Sequence, residues 1–492
     1  MNTPRRALLR LLPALAFVGS LLPAVAQGQD PSEMFGQTAY PVGANPQGLA
    51  RGDLDGDGAV DLAVADRFTS TVSVLLGQGD GSFGASTQHP TGIQPMAVVM
   101  ADLDGDGLLD LASADSGSSS VSVLINLGGG SFAAPQSYGV GQLPVDLVAG
   151  DLDGDGLVDL AVAHDSVSTP ISILHNSAGG FGAPEVLDSG FCASAVEVGD
   201  LDADGRLDLL VADCSQLQLR AYAGAAGGGM DQGVAFPLSS DPSGLAVLDA
   251  NGDGNLDVAA SCLSSNEVCL LLGGGDGSLG AAQAFPAGFM PLQIAAGDVN
   301  GDGADDLVTS NFGSGDVTLM LGDGQGHLGQ PLSMQAGLFP AGVLIGDTSG
   351  DGIADVTVAN AFSNDVSVFT AVTPPWTELG GAVEGRAGPL ALEVEGLPRA
   401  GEIVYFTART ARTKKKPAQL VIGYDELNMP FKGGLLVPSP DRVLKIKTNK
   451  PFGMAWPQLP VGSSLYFQAW LRPSAKIGIP SASGALRGVT QP

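Results

Sequence analysis

The sequence places aspartates at a spacing that suits cation binding. The stretch DLDGDGAVD, from Asp53 to Asp61, has carboxylates at positions 1, 3, 5 and 9. Two carboxylates about 4 Å apart repel each other by roughly 4 kcal/mol at an effective dielectric constant of 20. A loop that holds four of them in one conformation therefore needs a neutralising cation.

The motif occurs seven times, and successive copies are always 49 residues apart. The copies begin at Asp53, Asp102, Asp151, Asp200, Asp249, Asp298 and Asp347. A fixed period of this length indicates a repeat architecture, in which each unit buries its apolar face against its neighbours. The alternative, that these loops are merely acidic turns, leaves the repulsion uncompensated.

The donor pattern fits Ca²⁺, which takes six to eight oxygen ligands in flexible geometry. We predict side-chain ligands at positions 1, 3, 5 and 9 and a backbone carbonyl at position 7. Position 6 is glycine in every copy, because a chain that wraps one ion turns sharply there. An EF-hand begins in the same way but needs Glu at position 12 and helical flanks, and neither is found here. The predicted ligands are Asp53, Asp55, Asp57, Ala59, Asp61; Asp102, Asp104, Asp106, Leu108, Asp110; Asp151, Asp153, Asp155, Leu157, Asp159; Asp200, Asp202, Asp204, Arg206, Asp208; Asp249, Asn251, Asp253, Asn255, Asp257; Asp298, Asn300, Asp302, Ala304, Asp306; and Asp347, Ser349, Asp351, Ile353, Asp355.

The number of carboxylates differs among the copies. The first four have four each, whereas position 3 is Asn251 in the fifth, Asn300 in the sixth and Ser349 in the seventh. Fewer charges predict weaker binding, so we expect the seventh site to lose its ion first. We expect up to seven Ca²⁺ ions, and we expect their role to be structural.

Each 49-residue unit contains four short strand patterns. Apolar runs flank the aspartate loop, a third run follows a polar turn, and a weaker fourth begins at segments such as FGAP, Phe181–Pro184. Four short strands per unit are typical of a propeller blade. The segment Phe35–Gly43 resembles a fourth strand but precedes the first loop, whereas the last unit lacks one. We predict that this segment closes the ring, in preference to an open solenoid with capping repeats.

The recurring Asp-rich loops and FGAP-like turns resemble the FG-GAP (or VCBS) repeats of integrin α-chain propellers and bacterial exported proteins. The resemblance extends from about Phe35 to Thr373. It implies an all-β fold, a seven-bladed β-propeller with the calcium loops on one face and the turns between second and third strands on the other. The outer-strand motif is less faithful in units four to six, where GMDQGVAF, LGAA and LGQP replace it.

The four cysteines suit an exported protein with two disulfides. Of the three possible pairings, the repeat register favours Cys192–Cys214 and Cys262–Cys269. Free buried thiols are the alternative. The chain has four histidines, and none lies in a recognisable catalytic or zinc motif.

The ends of the chain differ from the repeats. Residues 1–26 combine three arginines, an apolar run and the small-residue sequence AVA, which predicts a secretory signal peptide rather than a membrane anchor. Residues 27–373 contain 44 acidic and four basic residues, so nucleic acid is excluded as a partner. Residues 374–492 carry a net positive charge and strand-like alternation, which predict a small C-terminal β-sandwich. We expect no transmembrane span in the mature chain, and a location outside the cell, at its surface or in the periplasm.

The sequence favours a non-enzymatic, monomeric binding or adhesion module for an extracellular protein or glycan ligand. In the arrangement that the resemblance implies, the turns of the face opposite the aspartate loops contain Arg67, Phe68, Phe312 and Phe362, which are candidate ligand contacts. Two alternatives stay open at this point: a polysaccharide lyase or hydrolase built on a propeller, and a purely architectural role in the envelope.

Overall fold

The computed structural model describes residues 34–371 except 188–189 and 227, and the backbone of ten further strands between residues 376 and 489. Every regular element within these described ranges is a β-strand. The described part of the chain accordingly offers no helix that could cross a membrane.

Residues 34–371 form seven antiparallel four-stranded sheets, the blades of a propeller. The first strands are Pro46–Gly52, Pro95–Ala101, Pro144–Gly150, Ala193–Gly199, Pro242–Leu248, Pro291–Gly297 and Pro340–Gly346. The second strands are Asp61–Asp66, Asp110–Asp115, Asp159–His164, Asp208–Asp213, Asp257–Cys262, Asp306–Asn311 and Asp355–Asn360. The third strands are Thr71–Leu75, Ser120–Leu124, Ile171–Leu174, Gln218–Tyr222, Glu267–Leu271, Asp316–Met320 and Asp365–Ala371. The outer strands of blades one to six are Thr87–Pro90, Gln136–Gly139, Glu185–Val186, Val234–Pro237, Gln283–Pro286 and Leu332–Gln335.

The N-terminal segment closes the ring. Strand Phe35–Pro41 pairs antiparallel with the third strand of blade seven, from Phe35 opposite Ala371 to Pro41 opposite Asp365. The predicted closure is therefore confirmed, and blade seven gains its outer strand from the opposite end of the sequence. The first strands contact one another around the whole ring, and that of blade seven contacts that of blade one. They enclose a central cavity of about 680 Å³.

The blades are held together by apolar residues that lie between them. All six residues of every second strand are buried, because each of these strands lies between two neighbouring blades. One core cluster, for example, joins Ala63 and Val74 of blade one to Val98, Leu111 and Leu124 of blade two. Burial on both faces explains why these strands read as continuous apolar runs rather than as alternating ones.

The fourth strand of a blade begins later than the FG segment of the sequence suggests. Phe83 forms only an isolated bridge with Gly77, and the paired outer strand begins at Thr87. The Phe83 ring is 6% exposed and packs edge-on against Tyr40, with ring centroids 5.5 Å apart. The FG phenylalanine therefore joins its blade to the preceding one before the outer strand starts.

Beyond the propeller, the region of strand-like alternation contains strands. These strands are Leu390–Glu395, Ile403–Thr410, Ala418–Gly423, Arg442–Lys445 and Ser464–Leu471, and the others are Trp376–Glu378, Pro430–Phe431, Gly434–Leu435, Phe452–Ala455 and Ser481–Val489. They form a five-stranded, a three-stranded and a two-stranded sheet. The packing of these sheets into a sandwich, and the signal peptide, lie outside the described residues and stay predictions.

Candidate metal centres and the opposite face

Each aspartate loop connects the first strand of a blade to the second. Its position-1 carboxylate accepts the N–H of the position-6 glycine, at 2.8–2.9 Å in all seven blades. Its position-5 carboxylate accepts the N–H of position 7, at 2.7–2.9 Å. The loop therefore folds around its own carboxylates, which fixes the direction in which they point.

The position-6 glycine is required by its backbone conformation. Its φ lies between +86° and +89° in all seven blades, in the left-handed region that glycine adopts without steric cost. Position 4 also has a positive φ, and in blade four it is Ala203 instead of glycine, with φ +57°. The blade-four loop is therefore under local strain that the other six avoid.

The position-9 aspartates differ from the other predicted ligands because they are buried. Asp61, for example, is fully buried, and its two oxygens accept the N–H groups of Leu54 and Gly77, both at 2.7 Å. The same two amide contacts recur in every blade. Burial raises the pKa of Asp110 to about 6 and that of Asp306 to about 7, against the opposing effect of these amides. A cation beside these carboxylates would favour their charged form.

The loops bring predicted ligands together. Ligand oxygens lie within 4.8 Å of one another in the groups Asp53–Asp55–Asp57, Asp151–Asp153–Asp155 and Asp102–Asp104–Asp110. These are all-oxygen groups, the donor type that Ca²⁺ prefers. The backbone carbonyls of position 7 lie in the same loops, and their coordination stays a prediction.

Three loops depart from the common pattern through a side chain. In blade four the Arg206 guanidinium contacts Asp204 at position 5, so the protein supplies a cation of its own there. In blade six the buried side-chain nitrogen of Asn300 has no hydrogen-bond partner. In blade three the His175 imidazole lies against Asp153 and Asp159. Carboxylate counting from sequence missed Arg206 and His175, because it treated position 7 as a backbone ligand and looked no further than position 9.

At the other end of each blade, a buried side-chain pair joins the last residue of the second strand to the third strand. All seven second-strand members of these pairs are fully buried. The pairs are Asp66–Ser73, Asp115–Ser122, His164–Ser172, Asp213–Arg220, Cys262–Cys269, Asn311–Thr318 and Asn360–Ser367. The same structural position is therefore filled by five chemically different pairs.

The four cysteines lie in the predicted pairs. The sulfur atoms of Cys262 and Cys269 are 3.0 Å apart, and those of Cys192 and Cys214 are 3.1 Å apart. All four are free thiols in the structure, so the disulfides stay predictions. Blade five has the sulfur pair where its neighbours have a hydrogen bond.

The Ser172–His164 contact is not an accessible catalytic pair. The two side chains are hydrogen-bonded at 3.0 Å, but both are fully buried. Burial lowers the pKa of His164 to about 4, so the imidazole is neutral at ordinary pH. The pair is part of the buried core of the blade.

Two carboxyl groups lie on the wall of the central cavity, in neighbouring blades. Burial raises the pKa of Asp146 and of Glu197 to about 7 each. Asp146 accepts the N–H of Val196 at 3.1 Å, and Glu197 accepts that of Val198 at 3.1 Å. Near neutral pH the cavity wall is therefore less negative than the sequence suggests.

The face opposite the aspartate loops carries most of the exposed apolar side chains. We call it the hairpin face: the turns between second and third strands (66–71, 115–120, 164–171, 213–218, 262–267, 311–316 and 360–365) and the connections into the first strands (42–46, 91–95, 140–144, 190–193, 238–242, 287–291 and 336–340). Of the twelve exposed large apolar residues among the described ones, nine lie here. They are Phe68, Ile93, Leu143, Val167, Leu217, Phe289, Leu338, Phe339 and Phe362.

An aromatic cluster forms on the hairpin face of blades six and seven. The Phe339 ring lies between Phe312 and Phe362, with centroid distances of 5.0 and 4.7 Å. Of the predicted ligand contacts, Phe312 and Phe362 therefore come together through a third ring that sequence reasoning missed. Arg67 lies over the Phe68 ring at 5.7 Å, in the neighbouring blade one. Phe339 had no sequence signal, because it stands among turn residues just before a strand.

Comparisons with known proteins agree with this architecture. A family model described as FG-GAP-like repeat matches six overlapping segments, residues 53–113, 102–162, 151–211, 200–260, 249–309 and 298–358. No curated protein matches the chain.

Solved structures show similarity at low identity. A Lactobacillus plantarum protein is 15% identical with TM-score 0.46, over 63% of this chain and 98% of that one. A functionally unknown protein from Desulfotomaculum acetoxidans is 13% identical with TM-score 0.45, over 63% and 91%. The V. cholerae biofilm matrix protein Bap1 is 14% identical with TM-score 0.33, over 91% and 67%. Since the family model spans more than half of the sequence in register with the seven blades, the chain belongs to the FG-GAP-like repeat family.

Proposed function

We propose that this protein is an exported, calcium-stabilised propeller whose hairpin face binds a protein or glycan ligand outside the cell. The aspartate loops would hold the ions, and the opposite face would meet the ligand. In this proposal the aspartate-loop face stabilises the fold and the hairpin face recognises the ligand.

The support for calcium is the chemistry of the loops. Each offers carboxylate or amide oxygens at positions 1, 3, 5 and 9, except for the hydroxyl of Ser349 at position 3 of blade seven. Backbone amides orient the carboxylates at positions 1, 5 and 9. Such a set matches the ligands and the flexible geometry that Ca²⁺ takes. A bound ion would also offset the repulsion between neighbouring carboxylates.

The observation that carries the binding proposal is the concentration of exposed apolar side chains on the hairpin face. Scattered surface apolar residues are ordinary, but a contiguous group on one face is typical of an interaction site. The rings of Phe312, Phe339 and Phe362 form one such group, and Phe362 is 56% exposed. An exposed aromatic ring can stack on a sugar ring or pack against apolar residues of a protein.

Phe339 is distinguished from its equivalents in other blades by its ring contacts rather than by its backbone. Its φ is +56°, in the left-handed region that costs a bulky residue of order 1–3 kcal/mol. Blade one has Asn45 at the equivalent position, with φ +60°, and asparagine tolerates this region better. Gln94, Leu143 and Met290 have the same positive φ in blades two, three and six, so this conformation belongs to the repeat. Phe339 differs from them because its ring, 40% exposed, lies between two other rings.

The test compares three chains on a glycan array and on immobilised extracellular proteins of the source cell: the wild type, Phe339→Asn and Leu143→Asn. Phe339→Asn should lose binding while its unfolding free energy changes by less than about 1 kcal/mol, because relief of strain offsets lost ring contacts. Leu143→Asn is the matched control, since Leu143 is also exposed with a positive φ but lies in blade three. It should bind like the wild type.

Equal binding by the wild type and Phe339→Asn would contradict the proposed face. Release of soluble sugar from a bound polysaccharide would contradict the non-enzymatic proposal and favour the lyase or hydrolase alternative.

A further inference from the structure

Blade three contains an imidazole where the other blades have none. The residue that follows His175, Asn176, donates its N–H to the position-9 carboxylate of Asp159. The equivalent positions in the other blades hold aliphatic residues or threonine: Leu76, Ile125, Ala223, Leu272, Leu321 and Thr370. The histidine therefore adds a nitrogen donor to one aspartate loop of the seven.

The two ring nitrogens of His175 have different surroundings. Nε2 lies 3.1 Å from Oε2 of Glu185, at hydrogen-bond distance. Nδ1 lies 3.4 Å from Oδ2 of Asp159 and 3.6 Å from Oδ2 of Asp153. Nδ1 is buried and has no hydrogen-bond partner. If Nε2 carries the proton, the lone pair of Nδ1 lies close to two carboxylate oxygens, which is unfavourable unless a cation binds between them.

The distances suit a shared ion. Two ligand atoms each about 2.1 Å from a tetrahedral metal ion lie about 3.4 Å apart. The ligand atoms of His175, Asp153 and Asp159 all lie within 4.8 Å of one another. Glu185 completes the arrangement, because a metal-bound histidine commonly donates its other N–H to a carboxylate, which fixes the tautomer.

We propose that His175 Nδ1, Asp153 Oδ2 and Asp159 Oδ2 form a mixed nitrogen–oxygen site for a divalent transition-metal ion such as Zn²⁺, Mn²⁺ or Co²⁺. Imidazole suits these ions, whereas Ca²⁺ prefers oxygen ligands. The blade-three loop then differs in metal preference from the other six. This inference does not require those six loops to bind calcium.

A protonated His175 is the rival arrangement. An imidazolium would donate from both ring nitrogens to Glu185 and to Asp153 or Asp159, and it would neutralise the loop without any metal. The two arrangements differ in whether the loop takes up a transition-metal ion through nitrogen.

The test is a Co²⁺ titration of the full chain, produced without a polyhistidine tag, in saturating Ca²⁺. We expect one Co²⁺ per chain, with the visible absorption of an ion bound by nitrogen and oxygen. His175→Leu should abolish this absorption, and it should fold, because leucine occupies the equivalent position in blades one, five and six. Glu185→Gln should weaken Co²⁺ binding about 10-fold.

His327→Gln is the matched control. His327 Nδ1 lies 3.1 Å from Asp323 Oδ2, but this pair is exposed and outside the aspartate loops. The variant should bind Co²⁺ like the wild type.

A wild type that takes up no Co²⁺, or an absorption unchanged in His175→Leu, would overturn the inference in favour of the imidazolium. Calcium binding is measured by calorimetry on calcium-free portions of the same protein preparations. Calcium binding without the Co²⁺ absorption contradicts only this inference, and Co²⁺ absorption without calcium binding contradicts only the calcium proposal.

Discussion

The two faces of the propeller differ in how much they vary from blade to blade. On the aspartate-loop face all seven loops repeat the same hydrogen bonds, with Gly58 and its equivalents at nearly the same φ. At the hairpin end the equivalent position is filled by pairs as different as Asp66–Ser73 and Cys262–Cys269. A uniform structure is expected where every blade has the same function. Variation is expected at a position where any pair that satisfies a buried polar group is sufficient. This difference is what we expect if the loops all serve to bind a divalent cation, as proposed, whereas the hairpin end is free to vary.

The comparison predicts that stability depends on the loop face far more than on any hairpin-end pair. Removing calcium with a chelator should lower Tm by more than about 10 °C, because a site occupied at 100 times its Kd contributes about 2.7 kcal/mol and seven sites act together. Differential scanning calorimetry before and after chelation measures this. Mg²⁺ should restore little of the loss, since it demands a stricter octahedral geometry, and full recovery with Mg²⁺ would contradict a site built for calcium.

The next effect concerns the sulfur pair of blade five. In an oxidising environment Cys262 and Cys269 should form a disulfide that adds about 2–3 kcal/mol to the unfolding free energy, as expected for a short closed loop. Urea unfolding with and without reductant measures this difference in a Cys192→Ser, Cys214→Ser background, which removes the other predicted disulfide. The double variant Cys262→Asn, Cys269→Thr copies the Asn311–Thr318 pair of blade six and should be as stable as the reduced wild type. Wild-type stability that does not respond to reductant would show that the thiols stay free.

A smaller effect is expected at Asp66, where a carboxyl group is buried at the hairpin end. Burial raises its pKa from 3.8 to about 6, and its Oδ1 has no hydrogen-bond partner. Between about pH 4 and 6 the folded state holds a proton that the unfolded state has lost, so this group reduces stability as the pH rises through that window. Asp66→Asn, which copies Asn360 of blade seven, should raise the unfolding free energy at pH 7.5 by about 1–2 kcal/mol.

The control for Asp66 is the pH profile itself. Urea unfolding at constant calcium should give the two proteins similar unfolding free energies at pH 4. Above pH 6 the variant should have the larger unfolding free energy. A constant difference at all pH values would mean that the carboxyl group does not titrate as its burial requires.

The smallest effect is expected within the loop face, at Arg206. Its guanidinium contacts Asp204 in the blade-four loop, and the side chain is 42% exposed. Arg206→Gln removes a competing positive charge, so calcium affinity in blade four should rise about 3- to 10-fold, a screened effect of about 1 kcal/mol. Calorimetric titration checks the gain, with Ser349→Asp in blade seven as a variant that adds a carboxylate instead. Weaker calcium binding in Arg206→Gln would show that Arg206 supports the loop rather than competing with the ion.

The architecture could be predicted because it repeats. The 49-residue period placed every loop. The strand pattern at Phe35 predicted closure of the ring, because it precedes the first unit while the last unit lacks an outer strand. The strand Asp61–Asp66 and its equivalents could be recognised in the sequence, because burial on both faces requires a continuous apolar run.

The side chains that modify the candidate sites could not be predicted from the sequence, because their contacts depend on the direction and length of each side chain in the fold. Arg206 contacts Asp204 only two residues away, yet its effect depends on the direction of a long, flexible side chain. His175 lies 16 residues after Asp159 and reaches its carboxylate only because strand pairing brings the third strand alongside the loop. Phe339 joins Phe312 and Phe362 through the curvature of the ring, which no local pattern records.

The metal content of the purified chain tests the central claim most directly. After washing in buffer with micromolar calcium, elemental analysis should find several calcium ions per chain, approaching seven as calcium is raised, and Tm should rise with this number. A washed chain that holds no alkaline-earth metal and melts at the same temperature with and without calcium would contradict the account.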